Sequence, residues 1–338
     1  MKKWIWICVA AVLAIGLFAG VKAYRYWYDH KSPNFEGALD VYVYPWMEPE
    51  TVCDSILASG KVRKPASLRR VFKDVETLEV GHYRIDSTCT SVYVTRMLHK
   101  GWQTPVNLTL SGSIRTPAIL ARKIGAQMLV DSVDVASFIF SKDSLKNYGV
   151  DVKQLFTMVI PDTYQMKWTA SVREIFDRFA KERDAWWTPE RIDAAHAQGM
   201  TPKEASALAS IVDGETRYVP EQPTIAGVYL NRLRKGMPLQ ADPTVAFLLN
   251  YETNRILKKD LKISSPYNTY INKGLPPGPI NVPGKEYLEA VLNPDTASGY
   301  LFFCADPSFD GSHRFARTYS EHQKNARAFQ NALNQRAK

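Results

Sequence analysis

The chain is poor in cysteine, and glycine and proline occur only at ordinary levels. Its 338 residues contain four cysteines, too few for a disulfide framework in a protein of this length. No Cys-x-x-Cys pair or close His/Cys spacing is present, so a metal site loses support. With 18 glycines, 20 prolines and 12% aromatic residues, a collagen-like, low-complexity or disordered chain is excluded.

Several catalytic signatures are also missing. The sequence contains no P-loop, no GxSxG, no HExxH and no dinucleotide-binding fingerprint, which removes support for phosphoryl transfer, serine-esterase and zinc chemistry. Of the net charge of +9, a charge of +4 lies in residues 1–31, and the remainder is spread thinly over the rest of the chain. So mild an excess of positive charge identifies no polyanionic partner, and we expect no nucleic acid binding.

Residues 4–21 form an 18-residue stretch without a charged side chain. As a helix it would span roughly 27 Å, close to the hydrocarbon thickness of a bilayer. We predict a single transmembrane anchor in the inner membrane, with residues 1–3 cytoplasmic, 22–37 as a linker and the rest of the chain in the periplasm. A cleaved signal peptide is the alternative, although only a weak cleavage site, Val21-Lys22-Ala23, follows the apolar run.

The residues after the linker alternate between strand and helix patterns. The order strand (40–44), helix (49–57), helix (67–74), strand (79–85) is typical of a small LysM-like carbohydrate-binding module over 38–103, and a generic α+β subdomain is the alternative. Cys53 and Cys89 lie in this region and could pair or remain thiols, whereas Cys304 in an apolar run predicts buried packing.

Residues 104–338 are predicted to form a larger mixed α/β domain. Its best-marked helix begins at Thr201, where an N-cap threonine precedes proline and a glutamate follows three residues later. A second helix is predicted over 221–235, and helical spacing also covers 116–128 and 171–187. The segment 263–280 is rich in proline, glycine and tyrosine, which is more typical of a binding loop than of a linker.

Glu215 is the strongest candidate for a catalytic residue. It lies at the end of the helix that starts at Thr201, where a carboxyl group emerging from an apolar helix would be partly desolvated and have a raised pKa. A surface acid paired with Arg217 or Arg232 is the alternative. Polar and aromatic side chains suited to binding sugars follow it in sequence: Asn231, Arg232, Gln240, Asp242, Thr244, Tyr267, Asn268 and Tyr270.

Five ordered blocks make the pattern specific: LASIVDGET (208–216), VYLNRL (228–233), GMPLQADPT (236–244), YNTY (267–270) and GLPPGPI (274–280). Together they resemble the YceG-like, or MltG, family of endolytic murein transglycosylases. The resemblance implies an α+β protein with a single membrane anchor, a LysM-like subdomain and a YceG-like catalytic domain over 104–338. It also implies Glu215 as the catalytic residue. Gly214, before it, is expected to loosen the last helical turn.

The resemblance further implies the reaction and the partners. The family cuts the β-1,4 bond between MurNAc and GlcNAc in nascent peptidoglycan and leaves 1,6-anhydro-MurNAc ends, without a metal or organic cofactor. Peptidoglycan strands, the inner membrane and peptidoglycan synthases are the implied partners. Two alternatives stay open: a hydrolytic muramidase in which Asp242 or Asp213 activates water, and a non-catalytic scaffold that binds peptidoglycan.

Overall fold

The computed structural model of the chain describes residues 2–141, 143–252 and 255–336. The helices in these ranges are α1 (Lys2–His30), α2 (Pro49–Ala58), α3 (Pro65–Phe72), α4 (Ser91–His99), α5 (Pro117–Gly125), α6 (Ser132–Phe140), α7 (Val172–Trp186), α8 (Pro189–Ala197), α9 (Pro202–Glu215), α10 (Gln222–Arg234), α11 (Asp242–Leu248), α12 (Lys285–Leu292) and α13 (Tyr319–Arg336). The strands are β1 (Leu39–Val43), β2 (Gly81–Ile85), β3 (Val106–Thr109), β4 (Thr163–Met166), β5 (Phe302–Ala305) and β6 (His313–Ala316). Sequential strands pair into two-stranded sheets. The predicted α+β class is confirmed.

The chain divides into two compact units. The first comprises Met1–Asn107 and Gln165–Ala170, and the second comprises Leu108–Tyr164 and Ser171–Lys338. The segment Gln165–Ala170 therefore belongs to the first unit although it lies in the middle of the second in sequence. Sequence patterns read along the chain do not reveal such a return.

Helix α1 contains the predicted apolar stretch and extends beyond it. Its length and composition are sufficient to cross a membrane, and its most apolar window is not buried by the rest of the protein. Residues 22–30, expected to begin a linker, continue the helix, and its last turns pack on other elements of the first unit. Lys64 Nζ lies 2.7 Å from the Tyr24 hydroxyl, and Arg70 pairs with the buried Asp29 carboxylate at 2.6 Å.

The first unit has the strand–helix–helix–strand order that the sequence predicted. β1 pairs antiparallel with β2, in a register from Leu39↔Ile85 to Val43↔Gly81, while the buried faces of α2, α3 and α4 complete the core. Cys53 and Cys89 both lie in this core as free thiols, and no disulfide forms among the described residues. Cys304, predicted to be buried, is half-buried in β5 and is also free.

Helix α9 is the central element of the second unit. Thr201 and Glu204 form the expected reciprocal capping box, and Pro202 follows the cap. Every residue from 205 to 212 is buried, where the helix packs against α10 and α12 in an apolar cluster of this unit. A helix enclosed on all sides delivers its last residue, Glu215, to the edge of the core instead of to an open surface.

Candidate active site

The approach of α9 to α11 places Glu215 beside Asp242. A Cβ atom at Gly214 would lie 2.5 Å from the Cβ atom of Pro243, the second residue of α11, so only glycine permits this contact. The expectation that Gly214 loosens the last turn is wrong: α9 remains helical through Glu215. The glycine serves close packing between two helices, which brings two carboxyl groups to one site.

The Glu215 carboxyl group is in an environment that favours its neutral form. The residue as a whole is half-buried, but protein atoms surround the carboxyl group, and this desolvation raises its pKa to about 7. The charge of Asp242 also raises the pKa, whereas the Tyr229 hydrogen bond and the Arg232 charge lower it. At neutral pH the group therefore exists in comparable amounts as acid and as base.

Tyr229 on α10 fixes the orientation of this carboxyl group. Its hydroxyl donates a hydrogen bond to Glu215 Oε1 at 2.5 Å, and its ring is buried in the core. Among the residues that the structure describes, this is the one hydrogen bond to the Glu215 side chain. The other oxygen, Oε2, is left to carry the proton and to face a ligand.

Arg232, one turn further along α10, supports the loop that follows. Its Nη1 donates to the backbone carbonyl of Leu239, and its Nη2 donates to Gln240 Oε1 at 3.2 Å. Gln240 has a φ of 53°, a left-handed conformation that is uncommon for a residue other than glycine and is often found at functional sites. Arg232 Nε is buried and has no partner among the described residues.

Asp242 and Tyr270 form a second polar pair beside Glu215. The Tyr270 hydroxyl donates to Asp242 Oδ1 at 2.6 Å, and burial together with this carboxylate raises the pKa of the tyrosine. Tyr270 therefore fixes the orientation of the Asp242 carboxyl group, as Tyr229 does for that of Glu215.

Glu215 lines two cavities at once. One, of about 300 Å³, also contains Arg232, Gln240, Asp242 and Tyr270, four of the sequence-predicted binding residues. The other, of about 420 Å³, lies around Asp213 and Thr216. A ligand that occupies both would pass across the carboxyl group. A larger cavity of about 740 Å³, around Thr201 and Lys203, contains none of the predicted site residues.

The remaining predicted binding residues do not line either cavity beside Glu215. Asn231 donates to the carbonyls of Thr296 and Tyr300, and Thr244 is fully buried against Thr269. Tyr267 packs in the core and Asn268 is fully buried. The Tyr267 hydroxyl and the Asn268 amide nitrogen donate to backbone carbonyls, and the Asn268 amide oxygen accepts from the Tyr270 backbone N–H. Asn231 holds the segment before β5, whereas Thr244, Tyr267 and Asn268 hold the loops that carry Gln240 and Tyr270. Direct contact with a ligand stays a prediction for all four side chains.

Other residues of the site were missed by sequence reasoning. Phe302, Phe303 and His322 reach the 300 Å³ cavity from β5 and α13, while Arg115 and Asn281 line the 420 Å³ cavity. The ring of His322 stacks on Phe302 at 5.4 Å, and burial, together with the Arg232 charge, lowers its pKa. No spacing in the sequence connects these distant positions with Glu215.

Asp213 is a second carboxyl group with a raised pKa. Burial raises it to about 6, and the charge of Glu286 acts in the same direction. A hydrogen bond with Tyr287 and the charges of Arg115 and Arg217 oppose the shift. Asp213 precedes Glu215 by two residues, so its side chain lies on a different side of α9 and lines the 420 Å³ cavity.

Comparisons with known proteins identify the family of the chain. The model of the YceG-like family matches residues 41–328, so the chain belongs to the YceG-like family. The family resemblance inferred from the five sequence blocks is thereby confirmed. A crystal structure of a YceG-like protein from Listeria monocytogenes, 27% identical, superimposes with a TM-score of 0.58 and covers 85% of this chain and 98% of that one.

Two relatives are named for an enzymatic activity. The chain is 45% identical over 117 residues to the endolytic murein transglycosylase of Bacillus subtilis (strain 168), covering 35% of this chain and 32% of the relative. It is 25% identical over 285 residues to the protein of the same name in Streptococcus pneumoniae (serotype 2, strain D39), covering 75% of this chain and 51% of the relative. The matches thus span from a third to a half of the relatives' length.

Proposed function

We propose that the protein is a membrane-anchored endolytic lytic transglycosylase. It cleaves the β-1,4 bond between MurNAc and GlcNAc within nascent peptidoglycan strands and leaves 1,6-anhydro-MurNAc ends. One observation carries the proposal: the Glu215 carboxyl group, with a pKa of about 7, lies where two cavities meet. A strand that enters one cavity and leaves by the other presents an internal bond to this group.

The first step is protonation of the leaving oxygen. Because Tyr229 donates to Oε1, the proton of neutral Glu215 is carried by Oε2 and passes to the glycosidic oxygen as the C1–O4 bond breaks. Positive charge develops at C1 and the ring oxygen, as in other glycosidic cleavages. The ionised carboxylate that remains is stabilised by the Tyr229 hydroxyl and by the charge of Arg232.

The second step closes the anhydro ring. The 6-hydroxyl of the same MurNAc attacks C1, and its proton returns to Glu215, so that one carboxyl group serves first as acid and then as base. A group with a pKa near 7 suits both roles at neutral pH, since neither form is rare. No water enters the balance, because the nucleophile belongs to the substrate.

Sugar binding is assigned to the smaller cavity. Gln240, Asp242 and Tyr270 present an amide, a carboxylate and a phenol, which suit the hydroxyl and N-acetyl groups of a glycan. Phe302 and Phe303 add flat apolar faces for the sugar rings. In this account Asn231, Thr244, Tyr267 and Asn268 act on the substrate through the loops that they hold.

The first unit is proposed to be LysM-like and to bind glycan. It carries an exposed aromatic surface, in which the 74% exposed Trp46 stacks on Tyr44 with ring centroids 4.7 Å apart. Such a platform fits the apolar face of a sugar. Helix α1 would anchor the protein in the inner membrane, with the body in the periplasm, where peptidoglycan synthases that extrude new strands are the expected neighbours.

The proposal is tested by digesting nascent, uncrosslinked glycan with the full-length protein in detergent and measuring the masses of the products by mass spectrometry. Anhydro ends, lighter by one water than reducing ends, are expected from the wild type, and Glu215→Gln is expected to be inactive. Reducing ends throughout would instead indicate a hydrolytic muramidase that uses Asp213 or Asp242 to activate water. No cleavage by the wild type of either nascent or mature glycan would indicate a scaffold.

A further inference from the structure

The 420 Å³ cavity contains polar groups that the proposed bond cleavage does not use. Asn281 is 5% exposed, and its Nδ2 donates to the backbone carbonyl of Ser210 at 3.1 Å, which fixes the orientation of the amide. Its Oδ1 lies buried in the cavity wall and accepts no hydrogen bond from the described residues. A buried acceptor without a donor is unfavourable, so this oxygen is suited to accept an N–H group from a ligand.

Two cations face the same space. The Arg115 guanidinium lies 4.6 Å from the centroid of the Tyr251 ring, and the Tyr251 hydroxyl is held by the carbonyl of Ile280 at 2.8 Å. Arg217 follows Glu215 by two residues and is exposed. Within the described part of the chain, neither guanidinium forms an ion pair with a carboxylate, so their hydrogen-bond donors remain available.

Among the side chains that line the cavity, cations outnumber carboxylates once Glu215 is neutral. Arg115 and Arg217 face Asp213 and Glu215, and the charge of Glu286 reaches Asp213 from α12. When Glu215 holds the proton that it needs for the first step, two cations face one lining carboxylate. A ligand with an amide N–H and one carboxylate would therefore donate to the Asn281 oxygen and pair with the two guanidinium groups.

We infer that this cavity is a subsite for the carboxylate-bearing substituent of MurNAc: Asn281 accepts an amide N–H, while Arg115 and Arg217 bind the carboxylate. The inference rests on the proposed function, since it assigns the MurNAc side of the strand to the cavity on the Asp213 side of Glu215. It makes Arg115 and Arg217 specificity-determining residues that distinguish MurNAc from GlcNAc.

The carboxylate has two chemical sources. In strands with stem peptides, the lactyl group is an amide and the acid belongs to the peptide. In strands from which an amidase has removed the peptides, the lactyl group itself ends in a carboxylate. Both offer the same chemistry to the two guanidinium groups, but at different distances from the sugar ring, and binding measurements can separate them.

The experiment measures binding to full-length protein in detergent, with Glu215→Gln as background so that no ligand is cleaved. Three probes are compared by titration calorimetry: uncrosslinked strand fragments with stem peptides, the same fragments after amidase treatment, and a chitin oligosaccharide of equal length, which has no carboxylate. Arg115→Gln, Arg217→Gln and the double variant are tested against Arg234→Gln, a matched change of an arginine on α10 that lines neither cavity beside Glu215.

The double variant is expected to bind at least one carboxylate-bearing probe about tenfold or more weakly, as befits the loss of charge-assisted contacts, and to bind chitin as its background does. The probe that loses more affinity identifies the source of the carboxylate. Equal losses for all three probes, or no loss for either carboxylate-bearing probe, would overturn the inference. Cleavage by the protein with wild-type Glu215 is followed separately, so an inactive enzyme with intact discrimination would refute only the proposed function.

Discussion

Replacing Tyr229 with phenylalanine should shift the pH dependence of the reaction upward. The substitution keeps the buried ring and removes the hydroxyl that donates to Glu215 Oε1 at 2.5 Å. A hydrogen bond to a charged group contributes about 1.5–3 kcal/mol, and one pKa unit corresponds to about 1.4 kcal/mol. Because this bond stabilises the carboxylate, its loss should raise the pKa of Glu215 by about 1–2 units above its present value of about 7.

The assay is the pH profile of kcat/KM on uncrosslinked glycan. Since the first step needs neutral Glu215, activity in the wild type should fall as pH rises through about 7, and in Tyr229→Phe through about 8–9. Tyr164→Phe is the matched control, because its buried hydroxyl donates to the Ile160 carbonyl and does not contact Glu215. A descending limb that stays at the wild-type pH in Tyr229→Phe, or moves downward, would show that the Tyr229 hydroxyl does not lower the pKa of Glu215.

Three further predictions concern stability, packing and binding. Burial raises the pKa of Glu215 from 4.5 to about 7, so the wild type loses stability as pH rises between these values. Compared with the wild type, Glu215→Gln should therefore be more stable by about 1–3 kcal/mol at pH 8 and no more stable below pH 4.5. Denaturant titrations of both proteins at both pH values measure this difference. Gly214→Ala must displace Pro243 and with it Asp242, so kcat/KM should fall at least tenfold and Tm should drop; unchanged values would contradict the packing argument. Trp46→Ala should weaken co-sedimentation with polymeric peptidoglycan several-fold while leaving kcat on short fragments unchanged, and equal binding would remove Trp46 from the glycan surface.

The sequence predicted what depends on local rules. The capping box at Thr201 marks the start of α9, and its apolar residues predict a buried helix that ends near Glu215. The desolvated carboxyl group follows from that placement, and the raised pKa agrees with it. The strand and helix patterns of the first unit likewise reflect short-range periodicity.

What the sequence could not predict depends on contacts between distant residues. In the sequence Gly214 resembles a helix breaker, whereas in the structure it allows Pro243 to pack closely against α9. Asn268 has the chemistry of a ligand-binding amide, but its amide nitrogen donates to the backbone carbonyls of Leu261 and Ile263. His322 and Arg115 line the two cavities beside Glu215, although they lie near opposite ends of the sequence of the second unit. No periodicity in the sequence connects either of them with Glu215.

In the proposed reaction the MurNAc 6-hydroxyl, and not water, attacks C1 while Glu215 transfers the protons. Digestion of nascent glycan in water enriched in ¹⁸O tests it directly by mass spectrometry of the new ends. Anhydro ends without label are expected from the wild type, and no new ends are expected from Glu215→Gln. Incorporation of one ¹⁸O atom at each new end would contradict it and would identify water as the nucleophile.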